Sequence, residues 1–255
     1  MCIRDSIKDK VAYITGGSKG IGYGIAEALI ERGAKVAITG RTESTLDEAA
    51  KALNDKVADS CLAIVADVRN SDDQFNAVQR VIQKWGQLDI SIANAGVGHF
   101  DSIENLSTQQ WNDVIDINLT GTFHTIKASL EALKLTQGYF MTVASLAGTN
   151  FFANGSAYNA SKFGVVGFTQ AVMLDLRKHG IKVTTIMPGS VSTYFNNRVP
   201  SEAESWKIQP EDIGQMVVDL LKMHPRTLPS KVEVRPSIPC EIEKCKAGKY
   251  YVKLA

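Results

Sequence analysis

The stretch Thr15-Gly16-Gly17-Ser18-Lys19-Gly20-Ile21-Gly22 follows an apolar run, Val11–Thr15, and leads into a helical pattern. Glycines allow a tight turn, and they let backbone N–H groups approach a phosphate at the amino end of a helix, where the dipole favours an anion. The spacing of Gly16, Gly20 and Gly22 is G-x-x-x-G-x-G, which departs from the usual dinucleotide pattern G-x-G-x-x-G. Such a turn can also be purely structural. By itself it therefore predicts a strand–turn–helix unit, for which nucleotide binding is one of two interpretations.

Short β-rich runs alternate with longer helical stretches along the chain, as in βαβ units. The runs are apolar on both faces, which is typical of parallel strands covered by helices. The predicted strands are Val11–Thr15, Lys35–Thr39, Leu62–Ala66, Leu88–Ala93, Tyr139–Ala144, Val183–Met187 and Val232–Arg235. The predicted helices are Ile21–Arg32, Glu43–Asn54, Ser71–Trp85, Thr108–Leu135, Ala157–His179 and Pro210–Met223. No linker or repeat interrupts this pattern, so we predict one α/β domain over residues 7–238.

Composition argues against several classes of protein. The chain of 255 residues has 28 Lys and Arg against 27 Asp and Glu, so we expect neither nucleic acid nor a membrane as a partner. Its apolar runs are much shorter than the ~20 residues of a membrane-spanning helix. Four cysteines in a chain of this length do not form a disulfide framework, and Cys240 and Cys245 lack the further ligands of a zinc site. We therefore expect a cytoplasmic protein without a metal.

The two ends differ from the rest of the sequence. Met1–Ser6, which reads MCIRDS, resembles the translation of a sequencing adapter found on metagenomic genes, so we expect residues 1–6 to be non-native. The first residues also lack the apolar region of a signal peptide. The tail, 239–255, could be a disordered end, a docking segment or a similar artefact, and the sequence assigns it no function.

The residues after the second predicted strand favour NADP(H) over NAD(H). NAD-binding folds carry an acid roughly twenty residues after the glycines, where it bonds the ribose 2′-hydroxyl. Here that place reads Thr39-Gly40-Arg41-Thr42, with no acid until Glu43. The Arg41 guanidinium suits a 2′-phosphate, and Lys19 adds a cation on the glycine turn. The alternative is that both are solvated surface cations.

Tyr158-Asn-Ala-Ser-Lys162 places a phenol and an ammonium one turn apart on a predicted helix. A nearby cation favours the phenolate, so we expect Lys162 to lower the pKa of Tyr158 from its usual value of about 10. Such a phenol could donate or accept a proton near neutral pH. The spacing alone would also fit a packed tyrosine beside a solvated lysine.

Together these features resemble the short-chain dehydrogenase/reductase family, and the resemblance covers the chain from about Lys10 to Pro236. The motifs occur in the family's order and are Thr15–Gly22, Asp67-Val68, Asn94-Ala95-Gly96, Asn118, Ser145, Tyr158 with Lys162, and Pro188–Thr193. The resemblance implies a single-domain Rossmann fold, with a doubly wound parallel sheet of about seven strands in the order 3-2-1-4-5-6-7. It also implies a homodimer or homotetramer built on the helices that contain Asn118 and Tyr158.

The resemblance gives each matched residue a role. Ser145 would donate a hydrogen bond to the substrate oxygen, Tyr158 would transfer the proton, and Lys162 would hold the nicotinamide ribose. Asn118 would fix a water that connects Lys162 to solvent, and Asp67 would bond the adenine amino group. The implied catalytic residues are Asn118, Ser145, Tyr158 and Lys162. The implied NADP(H) contacts are Gly16, Ser18, Lys19, Gly20, Ile21, Gly22, Arg41, Asp67, Val68, Asn94, Ala95, Gly96, Tyr158, Lys162, Pro188, Gly189, Val191 and Thr193.

The activity that the resemblance implies is NADPH-dependent reduction of a ketone or aldehyde, most similar to that of the 3-oxoacyl reductases. Two alternatives stay open: an alcohol or sugar dehydrogenase that works in the oxidative direction, and an NADP(H)-sensing protein without turnover. The chain lacks the Asp-Gly-Gly ending that is common in the family's last strand. The small-molecule substrate, a carbonyl compound or an alcohol, therefore stays undefined.

Tyr194–Lys207 is the least regular internal stretch, and it could be a surface connection or a lid over a pocket. We expect a lid, with a short helix around Trp206. Phe151, Phe152 and Trp206 are candidate pocket walls, although core packing would also explain each of them. His99 could face the substrate or simply belong to a loop.

Overall fold

Seven parallel strands form one sheet in this chain, for which the computed structural model describes residues 7–238. The strands are β1 Val11–Thr15, β2 Lys35–Gly40, β3 Cys61–Val65, β4 Ile90–Ala93, β5 Tyr139–Val143, β6 Lys182–Pro188 and β7 Lys231–Val234. Their order in the sheet is β3-β2-β1-β4-β5-β6-β7, and every neighbouring pair is parallel. The predicted fold class and strand order are confirmed, and the predicted strand bounds agree with these to within two residues.

Helices cover both faces of the sheet. They are α1 Gly20–Ile30, α2 Glu43–Lys56, α3 Ser71–Trp85, α4 Thr108–Ile115, α5 Gly121–Thr136, α6 Ser156–Leu176 and α7 Pro210–Lys222. Helices α1, α2 and α7 pack in one apolar cluster, and α3, α5 and α6 pack in another. In β1, Ala12 and Ile14 belong to the first cluster, whereas Val11 and Tyr13 belong to the second. This period of two explains why the strands are apolar on both faces.

The predicted helix Thr108–Leu135 contains a wider turn that the sequence pattern did not indicate. A π-helical turn, Asp116–Thr120, separates α4 from α5. It carries Asn118, which is buried and whose amide bonds to backbone outside its own helix. Single π turns of this kind occur inside helices and frequently mark functional sites. The wider turn changes which residues of α5 lie on the same face as those of α4.

The segment between β6 and α7 is irregular but anchored. It contains two short 3₁₀ helices, Phe195–Asn197 and Glu202–Glu204, and the second ends two residues before Trp206, where a short helix was predicted. Ser192 Oγ donates to Glu204 Oε2 at 3.0 Å, and Val191 pairs with Ile208 in a parallel bridge. These contacts tie both ends of the segment to the body of the protein.

Three predictions concern the ends and the cysteines. Residues 1–6 and the tail 239–255, with Cys240 and Cys245, lie outside the described residues. Cys61 is buried, and burial raises the pKa of its thiol to about 12, so it packs as a small apolar side chain. Within residues 7–238, no helix is long and apolar enough to cross a membrane.

Candidate active site

The glycine turn after β1 is closed by backbone contacts that leave no room for side chains. Gly16 and Gly20 have φ angles of 65° and 58°, in the left-handed region that glycine tolerates. A Cβ on Gly16 would lie 2.9 Å from Ala95 Cα, and one on Gly22 would lie 2.4 Å from the Gly16 carbonyl oxygen. Helix α1 starts at Gly20 after an extended Lys19, so the turn delivers the helix amino end to the edge of the sheet. The turn thus has no side chains at these glycines that would keep a pyrophosphate from its backbone N–H groups.

Asn94 holds this turn against the end of β4. Its Nδ2 donates to the carbonyl oxygens of Thr15 and Gly16 at 2.9 and 3.0 Å. The backbone N–H groups of Asn94 and Ala95 donate to Thr15 Oγ1 at 3.0 and 3.1 Å. Asn94 therefore fixes the distance between the carboxyl ends of β1 and β4. Its side-chain amide is already used in hydrogen bonds to backbone carbonyl oxygens.

The segment after β6 approaches the same turn. β6 ends at Pro188, and Gly189 N–H donates to the Val234 carbonyl oxygen at 2.7 Å. A Cβ on Gly20 would come within 3.4 Å of Thr193, so the glycine turn and this segment are in direct contact. Lys19 Nζ lies 6.0 Å from the centre of the Tyr194 ring. The segment after β6 thus borders the glycine turn directly.

Asp67, after β3, is held by a partner that the sequence did not reveal. Arg69 Nε lies 3.0 Å from Asp67 Oδ2, and the Arg69 backbone N–H donates to Oδ1 at 3.0 Å. Arg69, and to a smaller degree Arg41, keeps the pKa of the Asp67 carboxyl below its usual value. Arg69 also lies 3.5 Å from Asp113, which pairs with His99 Nε2 at 3.0 Å. His99 is thus connected through Asp113 to Arg69. Arg41 is exposed just beyond β2.

Val68 and Asn118 connect this edge to the helices. Val68 is buried, and a Cβ on Gly121 would lie 2.7 Å from its Cγ2, so α5 packs closely on it. Asn118 Oδ1 accepts from Val97 N–H at 2.8 Å, while its Nδ2 donates to the Val97 carbonyl oxygen and to Ser161 Oγ, both at 2.9 Å. The amide therefore locks the chain after β4 to α6 at Ser161, the residue that precedes Lys162.

Ser145, Tyr158 and Lys162 come together where β5 ends and α6 begins. The Ser145 hydroxyl, which caps a short turn by accepting from Ala147 N–H at 3.1 Å, hydrogen-bonds the Tyr158 hydroxyl. Lys162 is only 5% exposed, and its Nζ donates to the Val143 carbonyl oxygen at 3.0 Å. Lys162 Nζ lies 5.7 Å from the centre of the Tyr158 ring. The three side chains thus form one cluster, as predicted from their spacing.

Burial, rather than the charge pair, sets the pKa values of this cluster. Burial raises the pKa of Tyr158 to about 12, against the smaller opposing effect of its bond to Ser145. Burial also lowers the pKa of Lys162 to about 8. The expectation that Lys162 lowers the pKa of Tyr158 is therefore wrong for this structure. The ammonium is itself desolvated and directed at Val143, so it does not offset the burial of the phenol.

Aromatic rings from separate loops surround Tyr158. The ring centres of Phe100 and Phe195 lie 5.3 and 5.6 Å from that of Tyr158, and Phe152 lies 6.0 Å from Phe100. Of the predicted wall residues, Phe152 belongs to this group, whereas Phe151 is 86% exposed and points away from any core. Phe195 belongs to the stretch predicted as a lid and covers Tyr158. Sequence reasoning missed Phe100 and Phe195, although both follow the carboxyl end of a strand.

The comparisons with known proteins agree with this geometry. The family model for short chain dehydrogenases matches residues 10–204. An uncharacterized oxidoreductase of Staphylococcus saprophyticus is 35% identical over 231 residues, which cover 90% of this chain and 98% of that protein. An alcohol dehydrogenase from the archaeon Thermococcus sibiricus, complexed with 5-hydroxy-NADP, superposes with a TM-score of 0.85 at 28% identity, covering 89% of this chain and 97% of that one. A 3-ketoacyl-(acyl-carrier-protein) reductase from Brucella melitensis, complexed with NADH, gives a TM-score of 0.83 at 25% identity, covering 91% and 99%.

The buried Lys162 makes a prediction about stability and pH. Its pKa is about 8 in the folded chain against 10.5 for a free lysine, so between these values the unfolded chain binds more protons. The free energy of unfolding should therefore rise with pH through this window. Lys162→Met removes the titration, so the stability of the native chain relative to this variant should rise by up to about 3 kcal/mol between pH 8 and 10.5.

Urea unfolding at a series of pH values measures this difference. Lys51→Met, which removes an exposed lysine from α2, serves as the control and should follow the native curve. Parallel curves for the native chain and Lys162→Met would contradict the low pKa of Lys162.

Proposed function

This chain belongs to the short chain dehydrogenase family of oxidoreductases, and we propose that it reduces a ketone or aldehyde to the alcohol with NADPH. The observation that carries the proposal is the cluster of Ser145, Tyr158 and Lys162, in which Ser145 hydrogen-bonds the Tyr158 hydroxyl and Lys162 Nζ lies 5.7 Å from the centre of the Tyr158 ring. Reduction needs a proton donor at the carbonyl oxygen, whereas oxidation needs a phenolate that accepts a proton. Burial raises the pKa of Tyr158, so the phenol is available as the proton donor that reduction requires.

The residues around the glycine turn fit a dinucleotide. The turn has no room for side chains at Gly16 and Gly22, and it ends at the amino end of α1, where a pyrophosphate is favoured. NADPH, when bound, would supply the hydride that adds to the carbonyl carbon. Lys162 and Asn94 border the same cleft, and Arg41 would bind the ribose 2′-phosphate. This fit supports a cofactor as the partner of Tyr158.

The chain's own residues would handle the oxygen and the proton. Ser145 and Tyr158 would both hydrogen-bond the carbonyl oxygen, which orients the substrate and stabilises the negative charge that develops there. Tyr158 would then transfer its proton to that oxygen. Lys162 would hold the hydroxyls of the nicotinamide ribose, since its ammonium can donate further hydrogen bonds. Asn118 would keep Lys162 in position by fixing the backbone after β4.

Arg41 is the residue on which we base the preference for NADPH. The two solved relatives differ in this respect, since one is complexed with 5-hydroxy-NADP and the other with NADH. In this chain the guanidinium of Arg41 stands exposed after β2, where a bidentate bond to a phosphate is available. We propose NADP(H) as the cofactor on this ground.

We also infer a homo-oligomer built on the faces of α5 and α6. Phe123 of α5 packs against Phe168 of α6 with ring centres 6.3 Å apart, so the two helices lie side by side. Each helix leaves apolar side chains exposed: Phe123 and Phe163 are both 44% exposed, and Leu174 is 63% exposed. Residues 163 and 174 are three helical turns apart on one face. An apolar strip of this kind is typical of a surface that a second copy covers.

Replacing the proton donor tests the mechanism. Tyr158→Phe should lower the rate of ketone reduction by about 10²–10⁴-fold, because it removes the general acid and leaves the ring in place. Affinity for NADPH, measured by fluorescence titration, should stay within a few-fold. Ser156→Ala removes a neighbouring exposed hydroxyl at the start of α6 and should leave the rate unchanged. Near-normal reduction by Tyr158→Phe would refute this mechanism.

Reversing the charge at residue 41 tests the cofactor. Arg41→Asp should change the ratio of kcat/KM for NADPH over NADH by about tenfold or more toward NADH, since a charge-assisted bond to the phosphate is lost. Lys51→Asp makes the same change of charge on the exposed side of α2 and should keep the ratio. An unchanged ratio in Arg41→Asp would show that another residue reads the 2′-phosphate.

A charge placed on the apolar strip tests the assembly. The native chain should be a dimer or tetramer by light scattering, and Leu174→Lys should shift it to smaller species because a lysine would be desolvated in the interface. Met223→Lys, at the end of α7 on the other side of the sheet, is the control and should not change the mass. A native chain that is monomeric at micromolar concentration would contradict the inference.

A further inference from the structure

We propose that the substrate of this site is an uncharged ketone or aldehyde that carries an aromatic or cyclic hydrocarbon group beside its carbonyl, bound against Phe100, Phe152 and Phe195. The inference rests on the proposed function and narrows its substrate class. It is carried by three phenylalanines, each supplied by a different loop, that converge on the phenol of Tyr158.

The rings form one continuous wall next to the reacting hydroxyl. Phe100 meets Tyr158 edge to face, with ring centres 5.3 Å apart and planes at 61°. Phe195 lies 5.6 Å from Tyr158 and 6.2 Å from Phe100, and Phe152 extends the wall at 6.0 Å from Phe100. Aromatic rings pair favourably in these offset and edge-to-face arrangements. A flat apolar group next to the carbonyl would therefore find ring faces and edges at the distance that such pairs prefer.

The backbone is adapted to hold the rings in this place. A Cβ on Gly98 would lie 2.7 Å from Phe100 Cζ and 2.9 Å from Phe195 Cζ. A Cβ on Gly155 would lie 2.4 Å from Phe152 Cε2. Glycine at both positions is thus what lets the rings come this close, because any side chain there would displace them.

Asn159 ties the loop of Phe152 to the helix of Tyr158. Its side chain is buried, and Nδ2 donates to the carbonyl oxygens of Ala147 and Asn150 at 2.8 and 2.9 Å. Its Oδ1 accepts from Phe152 N–H at 3.3 Å. The residue that follows Tyr158 thereby fixes the aromatic loop relative to the phenol. Phe152 is therefore held relative to the phenol by hydrogen bonds from a buried side chain.

Two ionisable side chains next to the wall already have partners within the protein. Lys162 is buried under Tyr158 with its Nζ bonded to the Val143 carbonyl oxygen. His99, beside Phe100, pairs with Asp113. A carboxylate or phosphate placed against these rings would lose its hydration without gaining a partner among them. Uncharged substrates are favoured for this reason.

The rings keep apolar surface free for a ligand. Phe100 is 38% exposed and Phe152 is 49% exposed, which is unusual for phenylalanines in contact with each other. Contiguous exposed apolar surface of this kind is typical of a place where a ligand or partner binds. Covering it with a hydrocarbon group would remove it from water, whereas a hydrated polar group would leave it uncovered.

Reduction of matched ketones by the full chain with NADPH tests the inference. Acetophenone and 2-octanone are both uncharged methyl ketones with the same number of carbon atoms, and acetoacetyl-coenzyme A represents the charged thioesters. We expect kcat/KM to favour acetophenone over 2-octanone by about tenfold or more. Phe100→Leu and Phe195→Leu should each lower this ratio by about tenfold, mainly through KM, because a planar contact is lost while an apolar side chain stays.

Phe151→Leu is the matched control, since Phe151 neighbours the wall in sequence but is 86% exposed. It should leave the ratio unchanged. A second measurement does not depend on turnover: saturation transfer by NMR from the chain to the ring protons of acetophenone should be strong, and weaker in Phe100→Leu. Equal or better reduction of 2-octanone or of the thioester would overturn the inference, as would an unchanged ratio in both wall variants.

The failure of this inference can be told apart from the failure of the proposed function. Turnover that depends on Tyr158 but shows no aryl preference would overturn the aromatic substrate class alone. If no carbonyl compound is reduced while saturation transfer to acetophenone persists, the reductase is overturned and the aromatic binding site is supported.

Discussion

The close approach of two backbones, at the carboxyl ends of β1 and β4, is the constraint on which the site depends. Gly16 and Ala95 are so near that a single added carbon would clash, and Asn94 bonds both carbonyl oxygens of the turn. The position of the turn fixes where α1 begins, and the position of β4 fixes the chain that follows it. That chain passes through Gly96, where a Cβ would lie 3.6 Å from Lys162 Nζ, and continues to Val97, which Asn118 holds. The contact between Gly16 and Ala95 therefore sets the positions of both the glycine turn and the chain beside Lys162.

Burial decides which protonation states are favoured in the cluster of Tyr158 and Lys162. A phenol and an ammonium in water would both keep their usual pKa values, and a close pair in water would favour the charged forms slightly. Here desolvation dominates, so the phenol is kept protonated and the ammonium is kept close to losing its proton. Both shifts disfavour charge in the folded chain, which means that the site is maintained against a stability cost. A negative charge that develops near Lys162 only during the reaction would offset that cost. An interaction that is stronger in the transition state than in the ground state lowers the activation barrier.

How much the sequence could predict depended on the range of the interactions concerned. Strands such as Val11–Thr15 follow from a local apolar pattern, and the cluster of Tyr158 and Lys162 follows from helical spacing, so both were predictable. The π turn at Asn118 was not, because an inserted residue in a helix barely alters its apolar period. Phe100 and Phe195 were missed for a different reason. They are 95 residues apart in the sequence, and the strand order brings their loops together. Gly98 lies against both rings in space, and its lack of a side chain leaves room for them. The pKa of Tyr158 was expected in the wrong direction because spacing shows a charge nearby but does not show that both groups are desolvated.

The chemistry and the selectivity of this site are carried by different parts of the fold. Ser145, Lys162 and Asn118 are fixed by bonds to backbone at the ends of strands and in helices, where small displacements would break several bonds at once. The rings of Phe100 and Phe195 lie on loops and are limited mainly by space. Changes on the loops can therefore reshape the wall without altering the proton path, because the two share only the Tyr158 ring. A fold with this division can keep one reaction while its substrate changes, so membership of the family gives the oxidoreductase class, and the aromatic wall is the ground on which we propose a substrate class.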